Sequence, residues 1–308
     1  MNIISGSSNP ELASSIAEGL KEKYPSNHSD LIKIEITKFA NDEKQIWIKD
    51  GFKVRGQKVC IVQSFSKPVD ENIMETLLII DALERLGAKE VSLLIPWMGY
   101  SLQDKVFREG EAIAAKVVAD LISNSFISRV FLLDLHNPSI PGFFSIPTYH
   151  LSAQNLFIDY LKSNNYLENA AIVSPDFGGL KRARNLADLL NLPLLNIDKS
   201  RNYKTGVVTA HALHGEAIAG KNAIVLDDVI VSGSTVAKSA ALLKKEGAKK
   251  VIFVATHGIF CNNGLEVVDR SLVDLVITSD SIIHEINTKK IKYIHLAPLF
   301  VAGLADWV

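Results

Sequence analysis

The sequence contains the segment Ala223-Ile-Val-Leu-Asp-Asp-Val-Ile-Val-Ser-Gly-Ser-Thr235, in which an apolar run leads to two adjacent carboxylates and then to small polar residues. A helical pattern, Val236–Glu246, follows directly. An apolar run, a turn and a helix in this order predict a buried strand that leads into a helix of an α/β fold. Because ligands of open α/β sheets bind at the carboxyl ends of the strands, the same segment also predicts a binding site.

The rest of the chain repeats this alternation of strand and helix. Short apolar runs predict buried strands at Val59–Val62, Val91–Pro96, Val130–Leu133, Ala171–Val173, Ala223–Leu226 and Val251–Ala255. The stretches between them predict helices at Glu71–Leu86, Ala112–Ile122, Leu180–Leu190 and Val236–Glu246. Alternating strands and helices are typical of mostly parallel sheets flanked by helices, so we predict an α/β fold.

An internal similarity divides the chain into two halves. The segment Leu86-Gly-Ala-Lys-Glu-Val is echoed by Glu246-Gly-Ala-Lys-Lys-Val, and the strands that precede the two copies also resemble each other. In both copies the glycine ends a helix and opens the loop into a strand, a usual role of glycine after a helix. Helix–Gly–strand is a common construction, but the second matching strand argues against chance. We therefore predict two similar domains, residues 1–147 and 148–308.

The bulk composition is that of an ordinary globular protein. The formal net charge is -1 and 47% of the residues are hydrophobic, so nothing favours binding to nucleic acid or to an anionic membrane. No apolar run reaches the ~18 residues that a transmembrane helix needs, and the N-terminus lacks the regions of a signal peptide. Cys60 and Cys261 have no metal-ligand spacing, which indicates free thiols in a reducing compartment. We expect a cytoplasmic protein.

The end of the Ala223–Thr235 segment suits a sugar phosphate. The adjacent carboxylates of Asp227 and Asp228 can accept hydrogen bonds from neighbouring hydroxyl groups of a sugar. Small residues let backbone N–H groups approach a phosphate, and the helix that follows adds the positive end of its dipole. These small residues are Ser232, Gly233, Ser234 and Thr235. The plainer interpretation is a strand-to-helix turn in which Ser234 or Thr235 caps the helix.

This segment resembles the ribose-phosphate loop of the phosphoribosyltransferase-type fold, and segments elsewhere narrow the resemblance. Taken in order over nearly the whole chain, they are similar to the ribose-phosphate pyrophosphokinase family: Phe39-Ala-Asn-Asp-Glu43, Pro96-Trp-Met-Gly-Tyr100, Asp134-Leu-His136, Gly142-Phe-Phe-Ser-Ile-Pro147, Ser174-Pro-Asp-Phe-Gly-Gly179 and Asp198-Lys-Ser-Arg201. The resemblance implies two phosphoribosyltransferase-type domains, in agreement with the internal similarity. The segment Phe107-Arg-Glu-Gly-Glu-Ala-Ile113 looks closer to the archaeal branch, so an archaeal affinity is expected.

The family resemblance implies an activity. The chain is expected to transfer the pyrophosphate group of ATP to the 1-hydroxyl of ribose 5-phosphate, giving phosphoribosyl pyrophosphate and AMP for nucleotide biosynthesis. Mg²⁺ is the implied cofactor, with His136 and Asp176 as its ligands. Lys199 and Arg201 match the basic residues of the family's catalytic loop, where two cations can close over the polyphosphate, and His136 is expected to act with them. The residues implied to bind ribose 5-phosphate are Asp176, Asp227, Asp228, Ser232, Gly233, Ser234 and Thr235.

The resemblance also implies an ATP site shared between subunits. Phe39, Asn41 and Glu43 match residues that hold the adenine of ATP in a neighbouring subunit, and an aromatic face with polar groups at its edge suits a purine. Gln103, Asp104 and His136 complete the implied ATP contacts. A homo-oligomer, at least a dimer, is therefore expected, with no nucleic-acid or membrane partner.

Two residues depart from the family's pattern. Leu102 stands where the family typically has an arginine that contacts ATP, and Lys105 or Arg108 is a candidate to compensate. Val231 stands in the sugar-phosphate loop where an acid is usual. The second departure weakens the resemblance to true phosphoribosyltransferases more than the resemblance to the pyrophosphokinases.

The sequence leaves other functions open. A phosphoribosyltransferase would consume phosphoribosyl pyrophosphate with the same loop, although the duplicated domain, the segment Phe39–Glu43 and the pair Lys199 and Arg201 favour its synthesis. A regulatory paralogue without catalysis is favoured by Leu102 and opposed by the retained His136. A paralogue that pyrophosphorylates a different ribosyl substrate is a third possibility.

Overall fold

The computed structural model describes residues 1–26, 29–201, 208–285 and 288–307, and for residues 199–201 and 208–211 it describes the backbone alone. The chain forms two compact units. The first consists of Met1–Ala153, Ser281–Ile283 and His295–Val308, and the second consists of Gln154–Asp280 and His284–Ile294. The single boundary predicted after residue 147 differs from this division, because residues 148–153 and the C-terminal residues belong to the first unit.

A parallel sheet with helices forms the first unit. Its strands are β1 (Asn2–Ser5), β2 (Leu31–Ile32), β3 (Ile34–Lys38), β4 (Lys44–Ile48), β5 (Lys58–Val62), β6 (Glu90–Ile95), β7 (Arg129–Leu133) and β8 (Thr148–Leu151). Its helices are α1 (Pro10–Lys23), α2 (Val69–Arg85), α3 (Ala114–Ser123) and the C-terminal α8 (Ala297–Gly303). The sheet order is β2-β1-β5-β6-β7-β8, and each neighbouring pair is parallel. Strands β3 and β4 form a separate antiparallel hairpin.

The second unit repeats this architecture. Its strands are β9 (Ala170–Ser174), β10 (Leu194–Arg201), β11 (Val208–His214), β12 (Asn222–Ile230), β13 (Lys250–Gly258), β14 (Leu275–Ser279) and β15 (Ile291–Ile294). Its helices are α4 (Gln154–Ser163), α5 (Leu180–Leu190), α6 (Ser234–Lys245) and α7 (Gly264–Arg270). The order is β11-β10-β9-β12-β13-β14-β15, in which only the edge pair β10–β11 is antiparallel among the described strands.

The predicted strands and helices are confirmed. Central strands such as β5 and β9 are buried along almost their whole length, because helices cover parallel sheets on both faces. Such strands appear in a sequence as continuous apolar runs, which is why they could be predicted. The helix predicted over Leu180–Leu190 has the same bounds as α5.

The two similar sequence segments, which begin at Leu86 and Glu246, form the same type of helix C-terminus. Gly87 and Gly247 follow α2 and α6 with φ values of +78° and +85°, a left-handed conformation that glycine adopts without steric cost. The N–H of the next residue, Ala88 or Ala248, donates to the helix carbonyl of Leu83 at 3.0 Å or Leu243 at 2.9 Å. This six-residue closure is the Schellman ending. The predicted role of both glycines is thus confirmed.

The C-terminal residues attach to the first unit through α8 and Trp307. Helix α8 packs against α1, where a Cβ added at Gly19 would lie only 2.8 Å from Val301. The guanidinium of Arg129 lies 4.1 Å from the centroid of the Trp307 ring, and Lys58 Nζ donates to the Trp307 carbonyl at 3.1 Å. Because these contacts join the C-terminal residues to the first unit, no single boundary in the sequence separates the two units.

The two cysteines differ in their surroundings. Burial raises the pKa of the Cys60 thiol to about 12, whereas Cys261 is partly exposed. Within the residues that the structure covers, no helix is both long and apolar enough to span a membrane.

We expect a thiol reagent to distinguish the two cysteines. Because only the thiolate reacts, a disulfide reagent at about pH 8 should modify Cys261 in the native protein and both cysteines after unfolding. The released chromophore gives the number of thiols that react. A Cys261→Ser variant is the control and should release almost none until it is unfolded. Two fast-reacting thiols in the native wild type would contradict the burial of Cys60.

Candidate functional site

The carboxyl end of β12 carries the predicted sugar-phosphate residues. Asp227 and Asp228 lie inside β12, which continues to Ile230, further than the sequence predicted. Residues 231–233 then turn the chain into α6, which begins at Ser234. The second unit therefore brings the carboxylate pair and the small polar residues together at one edge of its sheet.

Gly233 makes this turn possible. Its φ is +74°, and a Cβ at this position would lie 2.9 Å from the carbonyl oxygen of Gly264 and 3.0 Å from Val268. Any larger residue at this position would therefore suffer backbone strain and would clash with Gly264 and Val268 of α7. On the other side of the loop, the Cys261 N–H donates to the Val231 carbonyl at 2.7 Å and so fixes the loop from outside.

The loop leaves the N-terminus of α6 available to a ligand. The residue in the N-cap position is Gly233, which has no side chain to cap the helix. The hydroxyl of Ser232 donates to that of Ser234 at 3.2 Å. The simpler interpretation, in which Ser234 or Thr235 caps the helix, is therefore wrong for this structure. First-turn N–H groups without a cap are a ready binding site for an anion.

A small cavity lies inside the loop. Its volume is about 140 Å³, and its lining includes Ser232, Gly233, Ser234, Thr235, Ile230 and Val231. One water in the liquid takes up about 30 Å³, so the cavity has room for a polyatomic group. Val231, which stands where the resemblance leads us to expect an acidic residue, is 39% exposed and presents an apolar surface at this loop.

The carboxylate pair beside the loop carries concentrated negative charge. Burial raises the pKa of the Asp227 carboxyl well above its usual value, and the neighbouring Asp228 and Asp176 raise it further. Asp228 itself is buried, with 5% of its surface exposed. Buried carboxylates of this kind are costly unless donors or a cation compensate them. The site is therefore suited to a ligand rich in hydroxyl groups or to a divalent cation.

Asp176 lies in the turn after β9 and helps to form it. Its Oδ1 accepts the N–H of Gly179 at 3.0 Å, and its carbonyl accepts the hydroxyl of Ser174 at 2.7 Å. The turn leads into α5. The Asp176 carboxylate is close enough to Asp227 to raise the pKa of that residue. The predicted ribose-phosphate residues thus lie in the second unit, with Asp176 near Asp227, and their binding of ribose 5-phosphate stays a prediction.

Arg182 belongs to this site and was missed by the sequence analysis. Its Nη1 lies 3.0 Å from Oδ1 of Asp228 and forms an ion pair without hydrogen-bond alignment. Arg182 is in the first turn of α5, where the helix dipole disfavours a cation. A basic residue in that position, next to the Ser174–Gly179 segment, was the available signal for a nearby anion.

In the first unit, the predicted adenine residues lie at the tip of the β3–β4 hairpin. Phe39, Asn41 and Glu43 are all exposed there. The Phe39 N–H donates to the Glu43 carbonyl at 2.8 Å and closes the turn, while Asp42 takes a left-handed φ of 67°. The hairpin therefore presents an aromatic ring and polar groups outward. Their role in ATP binding stays a prediction.

Asp104 and His136, also predicted to bind ATP, lie in two linked turns of the first unit. Asp104 is 9% exposed, and its Oδ2 accepts a hydrogen bond from Asn137 at 2.6 Å, next to His136. His136 is exposed and follows β7, while Gln103 is exposed beside Asp104. Asp104 thus holds the His136 turn in place, and direct contact of these residues with ATP stays a prediction.

Lys105 and Arg108 are the candidates to replace the arginine that the family has at the position of Leu102. Both make contacts within their own segment. The ammonium of Lys105 lies 5.0 Å from the centroid of the exposed Phe107 ring, a cation–π contact. Glu111 accepts the backbone N–H groups of Phe107 and Arg108, both at 3.0 Å. The segment is ordered by these contacts, and the compensating role stays a hypothesis.

The predicted catalytic cations lie at the end of β10. The prediction that Lys199 and Arg201 lie on a loop is wrong for their backbone, because Lys199 pairs with Ala210 of β11 and Arg201 pairs with Val208. Local polarity indicated a loop, but pairing with a distant segment makes this a strand. The side chains of both residues, and residues 202–207, lie outside the described part of the structure.

A metal site built from protein groups alone is absent from the described residues. No three His, Cys, Asp or Glu side chains among them form a group that could hold a metal ion. The predicted ligands, His136 and Asp176, belong to different units, and their role stays a prediction.

Two family models match the chain, one in each of its two units. Residues 1–125 match the family model described as the N-terminal domain of ribose phosphate pyrophosphokinase, and residues 154–289 match that of the phosphoribosyl transferase domain. Ribose-phosphate pyrophosphokinase of Oceanobacillus iheyensis is 40% identical over 97% of this chain and 91% of that protein. The Aquifex aeolicus enzyme of the same name is 38% identical over 97% and 93%. The crystal structure of phosphoribosylpyrophosphate synthetase from Mycobacterium smegmatis has a TM-score of 0.88, 30% identity and coverage of 99% and 97%.

Two mostly parallel sheets flanked by helices, together with the loop between β12 and α6, define a protein with two phosphoribosyltransferase-type domains. The chain belongs to the ribose-phosphate pyrophosphokinase family. The expected archaeal affinity is not supported, since the relatives compared above are bacterial.

We expect the ion pair of Arg182 to stabilise the second unit. In Arg182→Met the buried Asp228 would lose its ion pair with Arg182, which should lower the free energy of unfolding by about 1–3 kcal/mol. This is less than the loss of a fully buried pair would cost, because the Arg182 side chain is partly exposed. Urea unfolding followed by circular dichroism measures the change. Arg184→Met, an exposed position on the opposite side of α5, is the matched control and should change little. Equal effects of the two substitutions would exclude a specific role for the Asp228 pair.

Proposed function

We propose that the chain is a ribose-phosphate diphosphokinase, a transferase that makes phosphoribosyl pyrophosphate and AMP from ribose 5-phosphate and ATP. The 1-hydroxyl oxygen of the sugar attacks the β-phosphorus of ATP. The bond from that phosphorus to the oxygen bridging the α-phosphate breaks, AMP leaves with this oxygen, and the hydroxyl proton is released. The observation that carries the proposal is the uncapped, glycine-turned loop beside a carboxylate pair, in a chain of this family.

The loop and the carboxylates divide the recognition of ribose 5-phosphate between them. The first-turn N–H groups of α6 and the hydroxyls of Ser232, Ser234 and Thr235 bind the 5-phosphate. Asp227 and Asp228 accept hydrogen bonds from the vicinal ribose hydroxyls, with Arg182 keeping Asp228 in place. Fixed in this way, the sugar presents its 1-hydroxyl in a defined orientation, which is the main requirement of phosphoryl-type transfer.

Mg²⁺ fits the donor groups of the second unit. Asp176 supplies carboxylate oxygens, which are the ligands that Mg²⁺ prefers, and it lies close enough to Asp227 to help raise the pKa of that residue, which is raised mainly by burial. Magnesium commonly takes one or two protein carboxylates together with substrate phosphates, so a cage of three protein ligands is not required. Asp176 and His136 are the residues proposed to hold it. When bound, the ion neutralises charge on the phosphates of ATP.

ATP binding is assigned to the first unit and to a second copy of the chain. The exposed tip of the β3–β4 hairpin, with Phe39, Asn41 and Glu43, would serve the active site of a neighbouring subunit. Gln103, Asp104 and His136 would contact ATP within the subunit. The protein is then a homo-oligomer, at least a dimer, and a cytoplasmic location is part of the same proposal.

The direct test is an assay with Mg²⁺, ATP and ribose 5-phosphate. We expect AMP and phosphoribosyl pyrophosphate to form in equal amounts, measured by ³¹P NMR or chromatography. A phosphoribosyltransferase would give neither product and would instead consume phosphoribosyl pyrophosphate in the presence of a base. Binding of ribose 5-phosphate without either reaction would indicate a regulatory paralogue or a different acceptor. Either result would refute the proposed function.

Lys199 is expected to stabilise the transferred phosphates. Lys199→Ala should lower kcat by orders of magnitude, since a single preorganised charge in a transition state contributes roughly 10²–10³-fold, while the unfolding midpoint stays unchanged. Lys249→Ala, an exposed lysine of the same unit, is the control and should retain full activity. A turnover close to that of the wild type in Lys199→Ala would remove this residue from the mechanism.

A further inference from the structure

Two lysines close the hairpin turn that carries the proposed adenine residues. Lys38 ends β3, Lys44 begins β4, and the two are directly opposite each other in the antiparallel pairing. Like charges in this arrangement destabilise a hairpin. A two-stranded sheet is also only marginally stable alone, and β3–β4 is separate from the six-stranded sheet. The end of the hairpin near the turn therefore needs an anchor elsewhere.

Helix α2 supplies that anchor with two carboxylates one turn apart. Lys38 Nζ lies 2.8 Å from Glu71 Oε2, and Lys44 Nζ lies 2.5 Å from Glu75 Oε2. The first pair is exposed, at 43% and 44% of the side chains, and exposed pairs contribute little. The second is buried, at 9% for Lys44 and 0% for Glu75, where water cannot compete. The Lys44–Glu75 pair is thus the stronger attachment.

Donors on all sides hold the Glu75 carboxylate rigidly. In addition to Lys44, its oxygens accept the Ser7 N–H at 2.6 Å, the Ser7 hydroxyl at 2.7 Å and the Gln63 amide at 2.8 Å. Ser7 follows β1 and Gln63 follows β5, so this carboxylate is tied to the central sheet. Through Glu75, Lys44 connects the turn to the central strands of the first unit.

The Lys44–Glu75 ion pair affects the position of the turn 39–43 more than its internal shape. Hydrogen bonds within residues 39–43 set the shape of the turn, and Ile34, Ile46 and Ile48 hold the other end of the hairpin on the apolar core. Between these two regions, Lys44 is the buried polar contact next to the exposed Phe39 and Glu43. Its position therefore decides where the turn presents these side chains.

We propose that Lys44, held by the buried carboxylate of Glu75, is a positioning residue that sets the hairpin turn 39–43 for binding the adenine nucleotide. This inference rests on the proposed function, because it takes ATP as the ligand of the turn. Lys44 acts through Phe39, Asn41 and Glu43 and does not touch the reacting phosphates. Its loss should therefore weaken ATP binding and leave the sugar site and the chemical step unaffected.

The test compares Lys44→Met with Lys44→Arg and with Lys49→Met. We expect Lys44→Met to raise KM for ATP by about tenfold, the scale of one charge-assisted hydrogen bond, with kcat and KM for ribose 5-phosphate within about twofold. Lys44→Arg should restore most of the affinity. Lys49 pairs with Glu35 on the exposed side of the same hairpin, so Lys49→Met is the matched control with unchanged constants.

A second variant separates positioning from stability, because Lys44→Met leaves Glu75 buried without its cation. In Lys44→Met/Glu75→Gln this charge is also removed, so the thermal midpoint should recover while KM for ATP stays high. If the thermal midpoint and KM for ATP both recovered in the double variant, the loss of Lys44 would have affected stability alone, and the inference would be overturned. An unchanged KM for ATP in Lys44→Met would also overturn it. Wild-type protein without pyrophosphokinase activity would instead refute the proposed function, which keeps the two failures distinct.

Discussion

Two adjacent carboxylates at the end of a central strand, Asp227 partly exposed and Asp228 buried, are the constraint on which the second unit depends. Asp227 and Asp228 can occupy β12 only because nearby groups reduce the cost of their charge. Arg182 pairs with Asp228, and burial together with the neighbouring Asp228 and Asp176 raises the pKa of Asp227. The glycine turn at Gly233 then places the uncapped start of α6 beside the pair. The second unit thus places two carboxylates and the first-turn N–H groups of a helix at one edge of its sheet.

The first unit has a similar architecture but lacks this carboxylate pair. Its equivalent of β12 is β5, where Gln63, Ser64 and Phe65 stand in place of the end of β12 and its carboxylates, and all three are fully buried. A carboxylate is buried here too, but Glu75 is satisfied by Lys44 and by neutral donors of the protein. Both oxygens of Glu75 have donors from the protein, whereas in the second unit burial and the carboxylates of Asp228 and Asp176 raise the pKa of Asp227. Duplication of a fold therefore does not duplicate its site.

Sequence reasoning succeeded where a local pattern reflects burial on both faces of a sheet. The strands β5, β6, β7, β9, β12 and β13 are continuous apolar runs, and the glycines after α2 and α6 mark helix ends. It failed at β10, where Lys199 and Arg201 were placed on a loop, because the partner strand β11 lies beyond residues 202–207 and local composition carries no information on pairing. The half-exposed hairpin β3–β4 was missed for a related reason, since only one of its faces packs on the core.

The order of residues alone was sufficient for the α/β class, the two similar halves and the segment Ala223–Thr235, because each depends on neighbours along the chain. Tertiary structure alone decided the ion pairs of Arg182 with Asp228 and of Lys44 with Glu75, and the attachment of Trp307 to the first unit. These contacts join residues far apart in sequence, and their strength depends on burial, which removes competing water and strengthens the attraction between charges. Neither the partner nor the burial of a charged side chain can be deduced from its position in the chain, so the compensation of the buried carboxylates became visible only in the folded protein.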